Sequence, residues 1–281
     1  MGEVTHPVLR WHGGKWRLAP WIIAHFPDHE IYVEPFGGGG SVLLRKCPVT
    51  CEVWNDLDGD AVNLFRVLRS DRAGELVEAL RLTPFSRVEF RDAYLPSDDP
   101  VERARRLVIR SFQGFSTNGH AKPTGFRSKG IRAGGLPQHA WGSYPDALAL
   151  IIERLRAGVI IESEPALDVM ARYDGESCLH YVDPPYLDET RGRGATRYAH
   201  EMTDADHAEL LAFLRTLTGM VVLSGYPSPL YDSALHDWHR VERAALADGA
   251  RERTEVLWIN AAAGRRRPVM DDMLERTGAM A

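Results

Sequence analysis

Short β-rich apolar runs alternate along this chain with longer segments of helical periodicity. That alternation predicts an α/β fold, with a mostly parallel sheet covered on both faces. A second observation qualifies the first. Between Ser70 and about Arg156 no convincing buried strand occurs, so a mainly helical insertion is expected to interrupt the sheet. The third is composition: 44% hydrophobic and 26% charged residues over 281 positions fit a folded chain, not a disordered or fibrous one.

In order, Ile31–Val33 reads as the first strand, followed by a glycine turn and a short helix from Ser41. Cys51–Trp54 reads as the second strand. Asp58–Leu68 then reads as a helix with Ala61, Leu64, Phe65 and Leu68 on one face. In the insertion, Arg72–Leu82 and Val101–Phe112 have helical spacing and precede a loop-like stretch from Ser116 to His139. The sheet resumes with a strand at Val159–Ile161, a helix at Glu164–Arg172 and a strand at Leu179–Val182. Thr203–Leu217 is a helix, capped by Thr203 and carrying acids in its first turn. Met220–Leu223 is the next strand, and Val241–Leu246 with Glu255–Ile259 forms a final antiparallel pair. The expected division is one domain from residues 1–70 and 155–281, and the insertion at 71–154.

The net charge is −5, which on its own discourages a polyanionic partner. Its distribution changes that. Val101–Gly135 holds eight basic residues and one acid, a net of +7 inside a chain that is otherwise −12. Arg103, Arg106 and Arg110 fall at helical spacing and fit a solvated helix face, but this does not explain the Gly-rich half with Lys122, Arg127, Lys129 and Arg132. The cysteines, Cys47, Cys51 and Cys178, form no C-x-x-C pair, so a reducing, cytoplasmic setting is expected. No apolar run approaches the roughly 18 residues of a membrane span, and the N-terminus lacks a secretory or myristoylation pattern. His236 and His239 could share one helix turn, but further ligands are missing, so no metal is expected.

Four short elements carry chemistry. Asp183-Pro184-Pro185-Tyr186 directly follows an apolar strand, and ligands of open α/β sheets bind beyond the carboxyl ends of strands. Two consecutive prolines make a rigid, carbonyl-lined corner between a carboxylate and an aromatic ring. Asp183 and the Pro184 carbonyl suit the hydrogens of an aromatic amine, and Tyr186 suits its ring, a stacking contact worth about 1–3 kcal/mol. Read alone, the tetrapeptide also fits a turn with a buried tyrosine. Glu34-Pro35-Phe36-Gly37-Gly38-Gly39-Gly40-Ser41 allows close backbone approach to a ligand, but lacks the lysine of a P-loop. Asn55-Asp56 ends the second strand about 20 residues later, where an acid commonly binds ribose hydroxyls; Asp58 is the better N-cap. Trp11-His12-Gly13-Gly14-Lys15 can place an ammonium beside a ligand carboxylate.

Together and in this order, from Trp11 to about Asn260, these elements resemble the Dam-type DNA adenine methyltransferases. Val222–Asp232 and Arg253–Asn260 also look like the family's late strands. The resemblance implies a Rossmann-like sheet that uses S-adenosylmethionine, with a mainly helical DNA-recognition insertion. By position, Trp11 and Lys15 would line the cofactor pocket, Glu34, Gly38 and Gly40 would floor it, and Asp56 would hold the ribose. Asp183 would lie between cofactor and adenine, Pro184 would offer its carbonyl, and Tyr186 would stack on a flipped base. The basic loop, with Lys122, Arg127, Lys129 and Arg132, would bind DNA. The family's Tyr-Asn-Gly is replaced by Ser116-Thr117-Asn118-Gly119, which leaves the target sequence open. Cytosine N4 methylation and a catalytically silent DNA-binding relative are the alternatives. The expected partner is double-stranded DNA, with a cognate restriction nuclease as a further candidate, and the expected state is a monomer without metal or membrane.

Overall fold

The computed structural model describes residues 2–115, 123–127, 137–187, 200–246 and 252–266. After α1 (Ala19–Ile23), the chain runs through β1 (Ile31–Glu34), β2 (Cys51–Asn55) and α2 (Gly59–Arg69). Four helices follow: α3 (Ala73–Leu82), α4 (Arg87–Asp92), α5 (Pro100–Gln113) and α6 (Pro137–Arg156). Then come β3 (Val159–Glu162), α7 (Ala166–Tyr173), β4 (Cys178–Val182), α8 (Asp204–Leu214) and β5 (Met220–Gly225). The last elements are α9 (Pro229–Ala234), β6 (His239–Leu246), β7 (Glu252–Ile259) and α10 (Ala261–Arg265).

Among the described residues the strands form one sheet in the order β3-β2-β1-β4-β5-β7-β6. The first five positions are parallel, and β7 runs antiparallel between β5 and β6. Every residue of β4 and β5 is buried, as expected for strands covered on both faces. The chain order reverses between β1 and β4, which pair directly (Ile31 opposite Cys178, Val33 opposite His180). A crevice opens at the carboxyl ends of strands at such a switch point. The segments that follow β1 and β4 therefore meet there, although Glu34 and Asp183 are far apart in sequence.

Between Ser70 and Arg156 the described residues hold helices and one isolated bridge, Gly114 with Phe126, but no strand. Leu76, Leu80, Leu107, Val108, Leu148 and Leu155 join the same core cluster as Tyr32, Trp54 and Leu179 of the sheet. The basic face of α5 is neutralised locally. Arg103 and Arg110 both bind Asp60 of α2, and Arg105 and Arg106 both bind Glu102.

Several boundaries differ from expectation for local reasons. The helix expected from Ser41 is a single turn, held by Leu44 N to Gly40 O and Lys46 N to Val42 O, and Pro48 disfavours a continuation through Cys47. α7 starts at Ala166, not Glu164, because Pro165 biases its predecessor away from helix and Asn55 clamps the backbone N and O of Glu164. α8 stops at Leu214, short of Leu217, where the Thr216 hydroxyl donates to the Phe213 carbonyl in place of a helical partner. At its start the Thr203–Asp206 capping box is present. His236 and His239 do not share a helix turn: α9 ends at Ala234 and His239 opens β6.

Candidate active site

The crevice over the switch point is a cleft of about 330 Å³, within the roughly 300–1,000 Å³ range of small-molecule sites. Trp11, Lys15, Glu34, Gly38, Asp56, Asp183 and Pro184 all line it. Gly40 and Tyr186 are not in its wall.

On the β1–β2 side the glycine turn sets the shape. Gly37 N donates to Asn55 O (2.7 Å) and Gly40 N to Gly37 O (2.7 Å), so the turn folds back on the end of β2. Gly38 and Gly40 have φ of +47° and +60°, which L side chains rarely adopt. A Cβ on Gly38 would lie 2.5 Å from Trp11 Nε1, and one on Gly37 would lie 2.1 Å from Trp54 Nε1. Backbone therefore borders the cleft directly. Asp56 is not a free carboxylate: Oδ2 accepts from Gly38 N and Oδ1 from Asp58 N, both at 2.7 Å. It ties the turn to β2 and still has lone pairs for a ligand hydroxyl. Burial raises its pKa to about 6, against these backbone bonds. Asp58 caps α2 as expected, accepting from Asp60 N and Ala61 N. Glu34 is buried, and its Oε2 accepts from Tyr32 OH and Leu43 N, both at 2.9 Å. Burial pushes its pKa up to about 8.

On the β4–β5–β7 side the arrangement is made of side chains. Lys15 Nζ lies 2.8 and 2.9 Å from the two oxygens of Asp183 and 2.9 Å from Gly13 O. Ser224, at the end of β5, donates to Asp183 Oδ1 at 2.8 Å and is joined to Tyr181 OH at 3.0 Å. The Tyr186 ring packs edge-on against Tyr226, with centroids 4.5 Å apart, and Lys15 Nζ sits 4.6 Å from its centroid. Its hydroxyl donates to Glu255 on β7, and only 7% of the residue is exposed. Lys15 Nζ is also 3.7 Å from Glu255 Oε1. Burial raises the Glu255 pKa, opposed chiefly by Lys15.

Glu255, Ser224 and Tyr226 were missed from the sequence. All three lie in the segments Val222–Asp232 and Arg253–Asn260 that look like the family's late strands, but no residue pattern there marked these side chains as site residues. Of the four expected DNA-binding residues, Arg127 is described: its backbone N donates to Gln113 O at 2.8 Å, beside the Gly114–Phe126 bridge. Lys122, Lys129 and Arg132 lie outside the described residues.

The family described as D12 class N6 adenine-specific DNA methyltransferase matches residues 11–245. A "DNA adenine methylase" of Escherichia coli (strain K12) is 28% identical over 197 residues, 68% of each chain. Proteins of the same name from Salmonella typhi and Vibrio cholerae (strain O395) are each 26% identical, over 84% and 73% of each chain respectively.

Proposed function

The chain belongs to the D12 class of N6 adenine-specific DNA methyltransferases, and on that premise we propose that S-adenosylmethionine is its methyl donor and that Asp183, Pro184 and Tyr186 handle the adenine. The reaction is methylation of the adenine amino group in DNA, and membership selects adenine over the cytosine alternative and an enzyme over a silent relative.

The donor set fits such a cofactor. Gly37–Gly39 border the cleft with bare backbone, because a Cβ on Gly37 or Gly38 would collide with Trp54 or Trp11. Asp56 offers acceptors suited to ribose hydroxyls, and Glu34 and Asp183 bring carboxyl groups toward a cationic sulfur. When bound, the sulfonium supplies an electrophilic methyl group. Trp11, Gly38 and Asp56 orient it from one side, and Lys15 is placed to meet a ligand carboxylate.

The adenine amino nitrogen is a poor nucleophile, because its lone pair is delocalised into the ring. Asp183 and the Pro184 carbonyl accept its two hydrogens and so favour a tetrahedral nitrogen, which stabilises the transition state more than the ground state. Ser224 and Lys15 fix the carboxylate for that task. The methylated amine is acidic enough to lose its extra proton without a strong base. The base lies inside the duplex, so it must be flipped out, with Tyr186 stacking on it. In the present arrangement Tyr186 is buried, so its ring face must open as the base enters.

Residues 71–154 are the target-recognition insertion in this reading. The arginines of α5 are already matched by acids, whereas positions 116–135 carry four basic residues and no acid. That contrast favours Lys122, Arg127, Lys129 and Arg132 over the helix for phosphate contact, with salt-dependent affinity. A monomeric, cytoplasmic enzyme, working alone or beside a restriction nuclease, completes the reading.

The observation that carries it is the meeting of Asp183 with the glycine turn and Asp56 around one cleft. Labelled methyl transfer from S-adenosylmethionine to unmethylated DNA, with Asp183→Ala in parallel, tests it. Label on the adenine amino group that is lost in the variant supports it; equal transfer by the variant overturns it.

A further inference from the structure

We infer that Glu255 is a positioning residue for the methyl transfer, one carboxylate that holds both the Tyr186 ring and the Lys15 ammonium where the adenine is received. This rests on the reading that the base stacks on Tyr186.

Glu255 lies one residue before the β5–β7 ladder, where Val256 is opposite Gly225. Strand alternation puts it on the same face as Leu257 and Ile259, both fully buried. Glu255 itself is 3% exposed. Burying a carboxylate there costs several kcal/mol unless partners compensate, so those partners define its role. Its described partners both belong to the site. Tyr186 OH donates to Oε1, and Lys15 Nζ lies 3.7 Å from the same oxygen.

A comparison inside the molecule sharpens the point. Glu52 is equally buried, but its partners are Lys46 and Arg154, neither of which lines the cleft. Glu52 cross-links the scaffold. Glu255 instead reaches from the sheet to Lys15, which lines the cleft, and to Tyr186, which packs against Lys15. Lys15 stands between its carboxylate and that of Asp183, above the Tyr186 ring. Without the Glu255 charge, the tyrosine hydroxyl keeps only a weaker, neutral acceptor and the ring is held less firmly. The ammonium then loses one of the two carboxylates beside it. Misplacement on this scale costs rate more than binding.

The test compares full-length wild type with Glu255→Gln, Tyr186→Phe and the double variant. Readouts are kcat, KM for DNA and the fluorescence of 2-aminopurine placed at the target adenine of a mapped site. Glu255→Gln is expected to lower kcat about tenfold or more, change KM less than about threefold and alter the 2-aminopurine signal. Tyr186→Phe should lower kcat in the same direction, and the double variant should fall no further than Glu255→Gln, because the hydroxyl contact is one of the two that Glu255 makes. Wild-type kcat and fluorescence in Glu255→Gln would overturn the inference, as would additive losses. If Glu255→Gln does not fold, Tyr186→Phe decides alone: full kcat overturns the inference and a tenfold loss upholds it. Tyr186→Ala keeps the two failures apart. Full activity in that variant overturns the stacking premise, whereas loss there with a wild-type Glu255→Gln overturns only the role of Glu255.

Discussion

On the β1–β2 side of the cleft the wall is backbone: glycines 37 to 39 pressed against Trp11 and Trp54, with Asp56 tying the turn from below. On the β4–β5–β7 side it is side chain: Lys15 and Asp183 line it, held from behind by Ser224 and by Glu255, which also takes the Tyr186 hydroxyl bond. The two walls should fail in different ways. A backbone wall has no room, so adding a single carbon breaks it. A side-chain wall tolerates changes of similar size but depends on charge and hydrogen bonding. The difference suits the work proposed for each, with one side shaping a fixed ligand pocket and the other accommodating a base that must enter and leave.

The largest expected effect is on the side-chain wall. Asp183→Asn keeps the size and removes the charge, so transfer should fall on the order of 10²–10³-fold, as when one preorganised group at a reacting centre is lost. A variant that keeps its rate would break the contrast.

Next comes the backbone wall. Gly37→Ala would set a Cβ 2.1 Å from Trp54 Nε1, a ring stacked on Phe65 at 4.0 Å and unable to yield. The cost should be about 1–3 kcal/mol or more, with donor binding weakened as well. Gly74→Ala is the control, because nothing lies within 4 Å of its Cβ in α3. It should stabilise by up to about 1 kcal/mol. Denaturant titration of both variants, with calorimetric binding of S-adenosylmethionine, measures the difference.

A smaller effect, in pH dependence, comes from the buried carboxyls of the β1–β2 side. Burial raises Glu34 from 4.5 to about 8, so the folded state binds its proton more tightly than the unfolded state does. Its contribution is therefore greatest below about pH 4.5 and declines as pH rises toward 8, with a limiting slope of about 1.4 kcal/mol per pH unit. Asp56, raised to about 6 from 3.8, acts with the same sign over the lower part of that window. Glu34→Gln should flatten the fall in stability between pH 5 and 8. An unchanged profile would show that Glu34 is already ionised in the fold.

The smallest effect lies away from both walls. Arg106 of α5 pairs with Glu102 at a partly exposed site, so Arg106→Ala should cost less than about 1 kcal/mol. DNA affinity should change less than about twofold, because this charge is already matched. A large loss of affinity in a filter-binding titration would return the helix to the DNA-binding surface.

The strand and helix pattern was legible wherever burial was continuous or strictly periodic. β4 and β5 are buried along their whole length, and α2 shows its apolar face and Asp58 cap in the sequence itself. Boundaries were misread where one local contact overrides propensity, as with the Thr216 hydroxyl at the end of α8 and the Asn55 clamp on Glu164. The basic count over α5 overstated its free charge, because Asp60 lies more than 40 positions away and only packing of α2 on α5 brings it close.

By itself the sequence determined the alternating fold class, the four short elements and their order, since propensity, turn chemistry and hydrophobic period are local properties. It also placed the carboxylate and aromatic ring of Asp183 and Tyr186 next to one another on a proline-stiffened corner. Only the tertiary structure decided which carboxylates meet one ammonium. Lys15 is 168 positions from Asp183 and Tyr186 is 69 from Glu255, and no spacing rule links them. What joins them is the reversal of strand order between β1 and β4 and the antiparallel insertion of β7 beside β5, which bring distant strand ends to one edge of the sheet. There, burial makes each charge depend on its neighbour.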